Sequence, residues 1–456
     1  MTAIATPLND ASDDGLFKID LQAATKACAH ARSALSENRL FDAINHALDA
    51  IAFRPSCFMA YQLLGQALDG QGRAVEATEC YRGQLPERLI DVRFSRILHA
   101  QTAAVDFQRY PAFPVEKTNL PPAFVLEGLS GGVDREITSP GCFVDQVVQG
   151  TVWHDAHNTW VLDRSGREVL EHTQGCREVL QTLSSQHQPV WLGKRVIVLG
   201  ARGAHNYYHW TMDIIPKMGV LAAAGFTLQK DDIYIVPFAR NAFAIELLRR
   251  FAIRESQVVE TEKVSPYITA DEILVPWLQN KMGLTMGTWL PHFMRRSVEE
   301  AAGNSTEPDC QRRLYISRSD SSADGRTLGN QKELEACLTQ RNFEIIYPEN
   351  YTVAQQAVLF GSANVVLAAH GAGLANIVYC RPGTTVIELY GQHLSPCYQA
   401  ICALAGYRYF NHKCDKTLNC NHDNRQAIRT LSERRSAGFS VCLNEVAKLL
   451  ELSGAS

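Results

Sequence analysis

Two histidine-centred motifs and a pair of arginines are the residues whose types and spacing point to chemistry. In AAHGAGLANIVYCRPGTTVIELYG, Ala368 to Gly391, His370 opens a turn in which Gly371, Ala372 and Gly373 keep side chains small, so the glycines permit unusual backbone angles and close approach of a ligand. The turn follows a buried apolar run, Asn364 to Ala369, and precedes a short helix-prone segment, Leu374 to Tyr379. The first N–H groups of such a helix lack partners and attract phosphate. Glu388 lies near the carboxyl end of the next β-branched run, Thr384 to Leu389, where ligands bind in open α/β sheets. About fifty residues upstream, Arg318 leaves the strand-like Leu314 to Ile316, and Arg326 and Asn330 precede the helix-like QKELEACLTQ. Guanidinium groups present a rigid fork of donors suited to phosphate oxygens, so Arg318 and Arg326 make a diphosphate clamp. In HNYYHWTMD, His209 and Asp213 are four apart and share one face if the stretch is helical.

These groups need elements to hold them. Short apolar runs, KRVIVLG, IYIVPF and EILVPW, alternate with helix-prone stretches such as AIELLRRFAI, which is the pattern of an α/β domain. Between Pro122 and Ser185, CFVDQVV, GTVWHD and TWVLD read as strands of an antiparallel addition to that first half. The proline-rich stretch Arg109 to Pro122 reads as a linker, and AAGNSTEPD, Ala301 to Asp309, as a second. A second α/β unit runs from Gln311 to about His412, and the helix VCLNEVAKLLEL can pack back across the domains. Ahead of all this lies an internal repeat at a 34-residue offset: Ala31 aligns with Gly65, Asp42-Ala43 with Glu76-Ala77, Ala47 with Tyr81 and Ile51 with Leu85. That is the tetratricopeptide period, with about two units visible between Leu21 and Leu85; the helices serve either as a protein-partner site or as a brace.

In order and spacing, NYYHWTMDIIPK (Asn206 to Lys217), YISR (Tyr315 to Arg318), Arg326 with Asn330, and HGAGLANIVYCRPGTTVIEL resemble the glycosyltransferase family 61 pattern over roughly Pro189 to Asn411. Lys217 stands where an arginine is usual, and Gln331 where a glutamate often follows the asparagine. The resemblance implies an inverting transferase of the two-Rossmann (GT-B) architecture. Its expected divisions are a disordered start over 1–18, a helical region over 19–105, an acceptor lobe over 106–300 and a nucleotide-sugar lobe over 301–456. It implies a nucleotide-sugar donor held by Arg318, Arg326, Asn330, His370, Gly371, Ala372, Gly373 and Glu388, with Glu388 on the ribose hydroxyls. Asn206 and Lys217 fall on the acceptor side. The proton of the acceptor hydroxyl goes to one of two groups: Asp213 with His209 holding substrate, or His209 oriented by Asp213. The acceptor class is a glycan, a lipid-linked glycan or another hydroxyl compound, and the setting is surface-polysaccharide assembly.

No cofactor or metal is expected in this scheme, because fixed positive charge and backbone dipoles meet the leaving diphosphate. Asp231-Asp232 precedes a strand and reads as a solvated turn. Cys414, Cys420 and His422 match no zinc spacing and read as ordinary loop residues. Thirteen scattered cysteines, a start without basic and apolar blocks, and no apolar run near 18 residues point to a reduced cytoplasmic protein without a transmembrane segment, at most peripheral to the inner membrane. A net charge of −4 without a run of basic residues argues against nucleic-acid binding. Two rivals remain: an inactive, glycan- or partner-binding scaffold, and a nucleotide-dependent oxidoreductase or epimerase, for which Gly200 to Gly203 is too short a match to the glycine fingerprint.

Overall fold

A computed structural model describes residues 21–53, 57–81, 85–86, 89, 107–126, 128–129, 135–155, 159–164, 166–169, 172, 188–278, 285–302, 311–318, 328–391, 394–414, 416–417 and 438–455. The expected disordered start over 1–18 lies outside them, as do Arg326, Cys420 and His422. The protein is a mixed α/β molecule with an N-terminal helical region, and it divides into two compact units, Met1–Asp106 with Asn158–Gln188, and Phe107–His157 with Pro189–Ser456. Among the described residues, no helix is long and apolar enough to cross a membrane.

The first unit carries α1 (Leu21–Ser36), α2 (Leu40–Phe53), α3 (Phe58–Gly70) and α4 (Ala74–Tyr81), each packed on the next. Ala31, Ala43, Ala47, Ala67 and Ala77 are fully buried, and their small side chains bring the helix axes close. The repeat is legible in the backbone as well. Asn38 after α1 and Gly72 after α3, 34 positions apart, both take left-handed angles, φ 57° and 76°. Gly65 belongs where it is because a Cβ there would meet the Tyr81 ring at 2.5 Å.

Among the described residues, two large sheets dominate the second unit, with smaller ones beside them. The first runs in the order β1 (Gln108–Phe113), β2 (Cys142–Val148), β6 (Glu272–Trp277), β3 (Arg195–Val198), β4 (Ile233–Ile235) and β5 (Val258–Val259). Strands β6, β3, β4 and β5 are mutually parallel, and β2 joins β6 antiparallel, which is the place expected of CFVDQVV; Thr151–His154 likewise pairs antiparallel with Tyr267–Thr269. The stretch read as a linker from Arg109 is instead mostly strand: β1 borders the sheet, and Glu116–Leu120 pairs with Arg135–Ser139. Pro111 misled because proline breaks interior strands, yet an edge strand tolerates its missing donor.

The second sheet is parallel through β8 (Phe343–Ile346), β7 (Arg312–Ile316), β9 (Ala363–Ala369), β10 (Thr385–Tyr390) and β11 (Arg408–Lys413), an order of 2-1-3-4-5. Phe124–Val125 and Gly128–Leu129 extend it beyond β11, so a piece of chain from well before the second linker completes this sheet. Their strands read as apolar runs because both faces are covered: Leu314, Val366, Leu367, Val386 and Ile387 are all fully buried. The last helix, Leu443–Ser453, packs its Val446, Leu449 and Leu450 into the core of this sheet alone. In such an order the crevice opens at the carboxyl ends of the first and third strands, here β7 and β9.

Candidate active site

The carboxyl ends of β7 and β9 stand level, since Ile316 pairs with Ala368. Two residues further on, Arg318 Nη1 donates to the carbonyl of His370 over 2.8 Å. The guanidinium lies along the turn, and a Cβ on Gly371 would sit 3.2 Å from Arg318 Cζ. Gly371 is extended, with φ 167°, so its glycine serves the approach of Arg318 and not an unusual backbone angle. Gly373 is likewise small against Ile316, 3.2 Å from where its Cβ would stand. The short helix expected over Leu374 to Tyr379 is present as 3₁₀ turns over Ala372–Tyr379, with Leu374 N donating to Gly371 O at 3.0 Å. Arg318, Gly371, Ala372 and Gly373 line one wall of a cleft of about 760 Å³; Asn206, Tyr207, Phe243 and Glu246 line the other.

His370 and Glu388 were expected to touch a ligand together. The structure separates their roles. Glu388 is fully buried, and its two carboxylate oxygens accept from His370 Nδ1 and the Tyr409 hydroxyl. Both carboxylate oxygens of Glu388, expected on ribose hydroxyls, are thus engaged within the protein, and Glu388 is not among the residues that line the cleft. Burial, and then the charge of Glu388, push the Tyr409 hydroxyl far up, so it remains a donor. The His370 ring meets Tyr398 edge-on at 5.4 Å, and the Tyr398 hydroxyl donates to Gly371 O over 2.5 Å.

Asn330 is also placed elsewhere than expected: Nδ2 donates to Val441 O at 2.8 Å and Oδ1 accepts from Val441 N at 2.9 Å. Its amide is thereby matched to backbone of the carboxyl-terminal segment, and Asn330 is not among the residues that line the cleft. Gln331 donates to Ser317 and Glu335, a polar network that includes the residue just before Arg318.

Across the cleft, Asn206 caps a helical turn by accepting from Tyr208 N at 2.8 Å. The turn Tyr207–His209 widens into π-helix over Trp210–Ile214 before Pro216 starts α5 (Pro216–Ala223). Such bulges occur often at functional sites. Fully buried Trp210, whose Nε1 donates to Ala204 O at 2.6 Å, anchors it. His209 and Asp213 do share one face: His209 Nδ1 and Asp213 Oδ2 are 2.5 Å apart. The imidazole is 35% exposed and the carboxylate 14%. Gly203, at φ 85°, gives the ring its room, since a Cβ there would lie 2.5 Å from His209 Cδ2. Lys217, expected on the acceptor side, is buried, and Nζ donates to Leu199 O at 3.0 Å and Gly200 O at 2.6 Å. Burial pulls it down to about 8, against the opposing charge of Asp213.

Several contributors had no role in the sequence reading. Tyr207 donates to Asn376 Oδ1 at 2.7 Å, and Asn376 Nδ2 donates to Gln356 Oε1 at 2.7 Å. Glu246, on α6 (Ala242–Arg249), accepts from Val353 N at 2.7 Å and Ala354 N at 2.8 Å, capping α9 (Val353–Gly361), which follows α7 (Trp289–Ala302) and α8 (Gln331–Thr339). Tyr207 and Asn376 both lie inside the quoted motifs, which was the one signal available; Glu246 had none. Asp232 also differs from expectation: it is fully buried and pairs with Arg195 at 2.7 and 2.9 Å, a structural ion pair in place of a solvated turn. Among the described residues, no group of three or more His, Cys, Asp or Glu side chains is placed to hold a metal ion.

No curated protein matches the chain. Residues 207–387, from the helical turn bearing His209 to the strand bearing Glu388, match the family model described as Glycosyltransferase 61.

Proposed function

We propose that the chain is an inverting, metal-independent glycosyltransferase of GT-B arrangement, moving a sugar from a nucleotide-sugar donor to a hydroxyl of a glycan or lipid-linked glycan in surface-polysaccharide assembly. The observation that carries this reading is the Arg318 guanidinium laid along the His370–Gly373 turn, at the switch point of the second sheet and in the wall of a cleft of about 760 Å³. Fixed positive charge and turn N–H groups there meet the charge that develops on the diphosphate. Arg326 supplies the second guanidinium.

On the helical turn whose Asn206 and Tyr207 line the opposite wall, His209 is the base. Asp213 engages Nδ1, which leaves Nε2 to receive a proton, and the imidazole is the more exposed of the pair. The acceptor oxygen attacks the anomeric carbon as its proton passes to Nε2. The bond from that carbon to the phosphate oxygen breaks, the nucleoside diphosphate leaves with the electron pair, and single displacement inverts the centre. The reading places the protein on the cytoplasmic side of the membrane, with the helical pairs as a tetratricopeptide-like docking module for a protein partner.

The test is incubation with UDP-, GDP- and CMP-sugars and candidate glycan acceptors, following released nucleotide by ³¹P NMR with and without excess chelator. Release that depends on an acceptor and survives chelation supports the reading. Turnover abolished by chelator and restored by magnesium or manganese removes metal independence, and failure of every nucleotide sugar to bind removes the function.

A further inference from the structure

Lys217 is buried near Asp213, the partner of the proposed base, and is not among the residues that line the cleft. Two of its three protons go to Leu199 O and Gly200 O, the last carbonyls before the loop that follows β3. Two glycines of that loop stand against neighbouring rings. Its Gly200 packs against the His154 ring, where a Cβ would collide, and its Gly203 abuts the His209 ring. Holding the two carbonyls therefore holds Gly203, and Gly203 sets how far the imidazole can turn about its bond to Asp213. An apolar side chain would fill the same space without the cost of a buried ammonium, so the charge itself is what the site retains.

We propose that Lys217 is a positioning residue for the His209–Asp213 pair, clamping the Leu199–Gly203 loop under the imidazole and setting one positive charge beside Asp213. The role rests on the glycosyltransferase reading above. Two titratable side chains bear on the ammonium: Asp213 from the preceding turn, and His154 from Thr151–His154. Burial, and then the charge of Lys217, pull His154 to about 3, so it stays neutral while Lys217 loses its proton near 8. Of the charged groups on the other elements packed on α5, Arg109 pairs with Asp145, Glu272 accepts from Gln146 and Arg295 donates to Cys380 O; His292 and Arg296 stand on the same helix as Arg295. Deprotonation thus removes the clamp's charge a little above neutrality.

The measurement is a pH titration of the His209 Cε1–Hε1 signal by NMR in the full-length protein, assigned with His209→Gln and repeated in Lys217→Met and Lys217→Arg. The wild-type signal is expected to carry an inflection near pH 8 that both variants lose, since methionine has no charge and arginine keeps its own. No such inflection in the wild type, or its persistence in either variant, overturns the proposal; Lys217→Arg serves if Lys217→Met does not fold. With a working donor, Lys217→Met lowers kcat roughly 10- to 100-fold at unchanged donor KM. In the same assay Lys217→Arg moves the alkaline fall in rate above that of the wild type. A wild type that turns over no donor sinks the transferase reading, while the NMR result decides the coupling separately.

Discussion

Tyr207 donates its hydroxyl to Asn376 Oδ1 over 2.7 Å, joining the helical turn that carries His209 to the 3₁₀ segment that follows His370, two stretches 169 residues apart in the chain. Asn376 is fully buried and passes the connection to Gln356, which in turn donates to Pro348 O and Tyr351 O, both at 3.0 Å. Both walls of the cleft are therefore referenced to one buried amide.

Tyr207→Phe strips the donor from that amide and leaves Asn376 Oδ1 buried without it. The expected loss is about 1–3 kcal/mol of stability, read as a lowered urea midpoint at unchanged slope. Nucleotide-sugar KM rises along with it. An unchanged midpoint means that the tie carries no weight.

Gly371→Ala separates backbone from side-chain effects. Alanine tolerates an extended φ of 167°, but its Cβ meets Arg318 at 3.2 Å and pushes the guanidinium off the turn. The fold survives, while donor binding falls toward that of Arg318→Ala, for which loss of a charge-assisted contact predicts roughly a 10- to 150-fold weaker Kd. Calorimetry with the donor nucleotide checks both variants. Full affinity in Arg318→Ala disposes of the phosphate-binding role.

His209→Gln removes the proposed base and should lower kcat by roughly 10²–10⁴-fold, with nucleotide binding intact. Asp213→Asn disturbs only the partner of Nδ1, so its loss is smaller. Single-turnover rates order the two. If Asp213→Asn proves the more damaging, Asp213 takes the proton itself.

His154 links acidity to stability. Its ordinary value of 6.5 is drawn to about 3 by burial first and Lys217 second. Between those values the unfolded chain binds a proton that the folded one refuses, so stability is present above pH 6.5 and declines as pH falls toward 3. The slope approaches about 1.4 kcal/mol per pH unit. Subtracting the urea stability of His154→Gln from that of the wild type across pH 3–8 isolates this contribution; a flat difference contradicts it.

Local pattern carried the elements and the motifs. Apolar runs such as Val365 to Leu367 marked strands, the four-residue spacing of His209 and Asp213 placed them on one helical face, and the 34-residue offset returned in the matched turns at Asn38 and Gly72. Those features arise from interactions within a few residues, which composition and spacing record directly. Long-range partners left no such record. Nothing local distinguishes a Glu388 that touches a ligand from one enclosed by His370 and Tyr409, or an Asn330 facing the cleft from one clasping Val441. The same holds for a Glu246 that caps a helix 107 residues away. Each outcome depends on which strands neighbour which in the sheet and on the strength of hydrogen bonds removed from water, and these are properties of the packed chain.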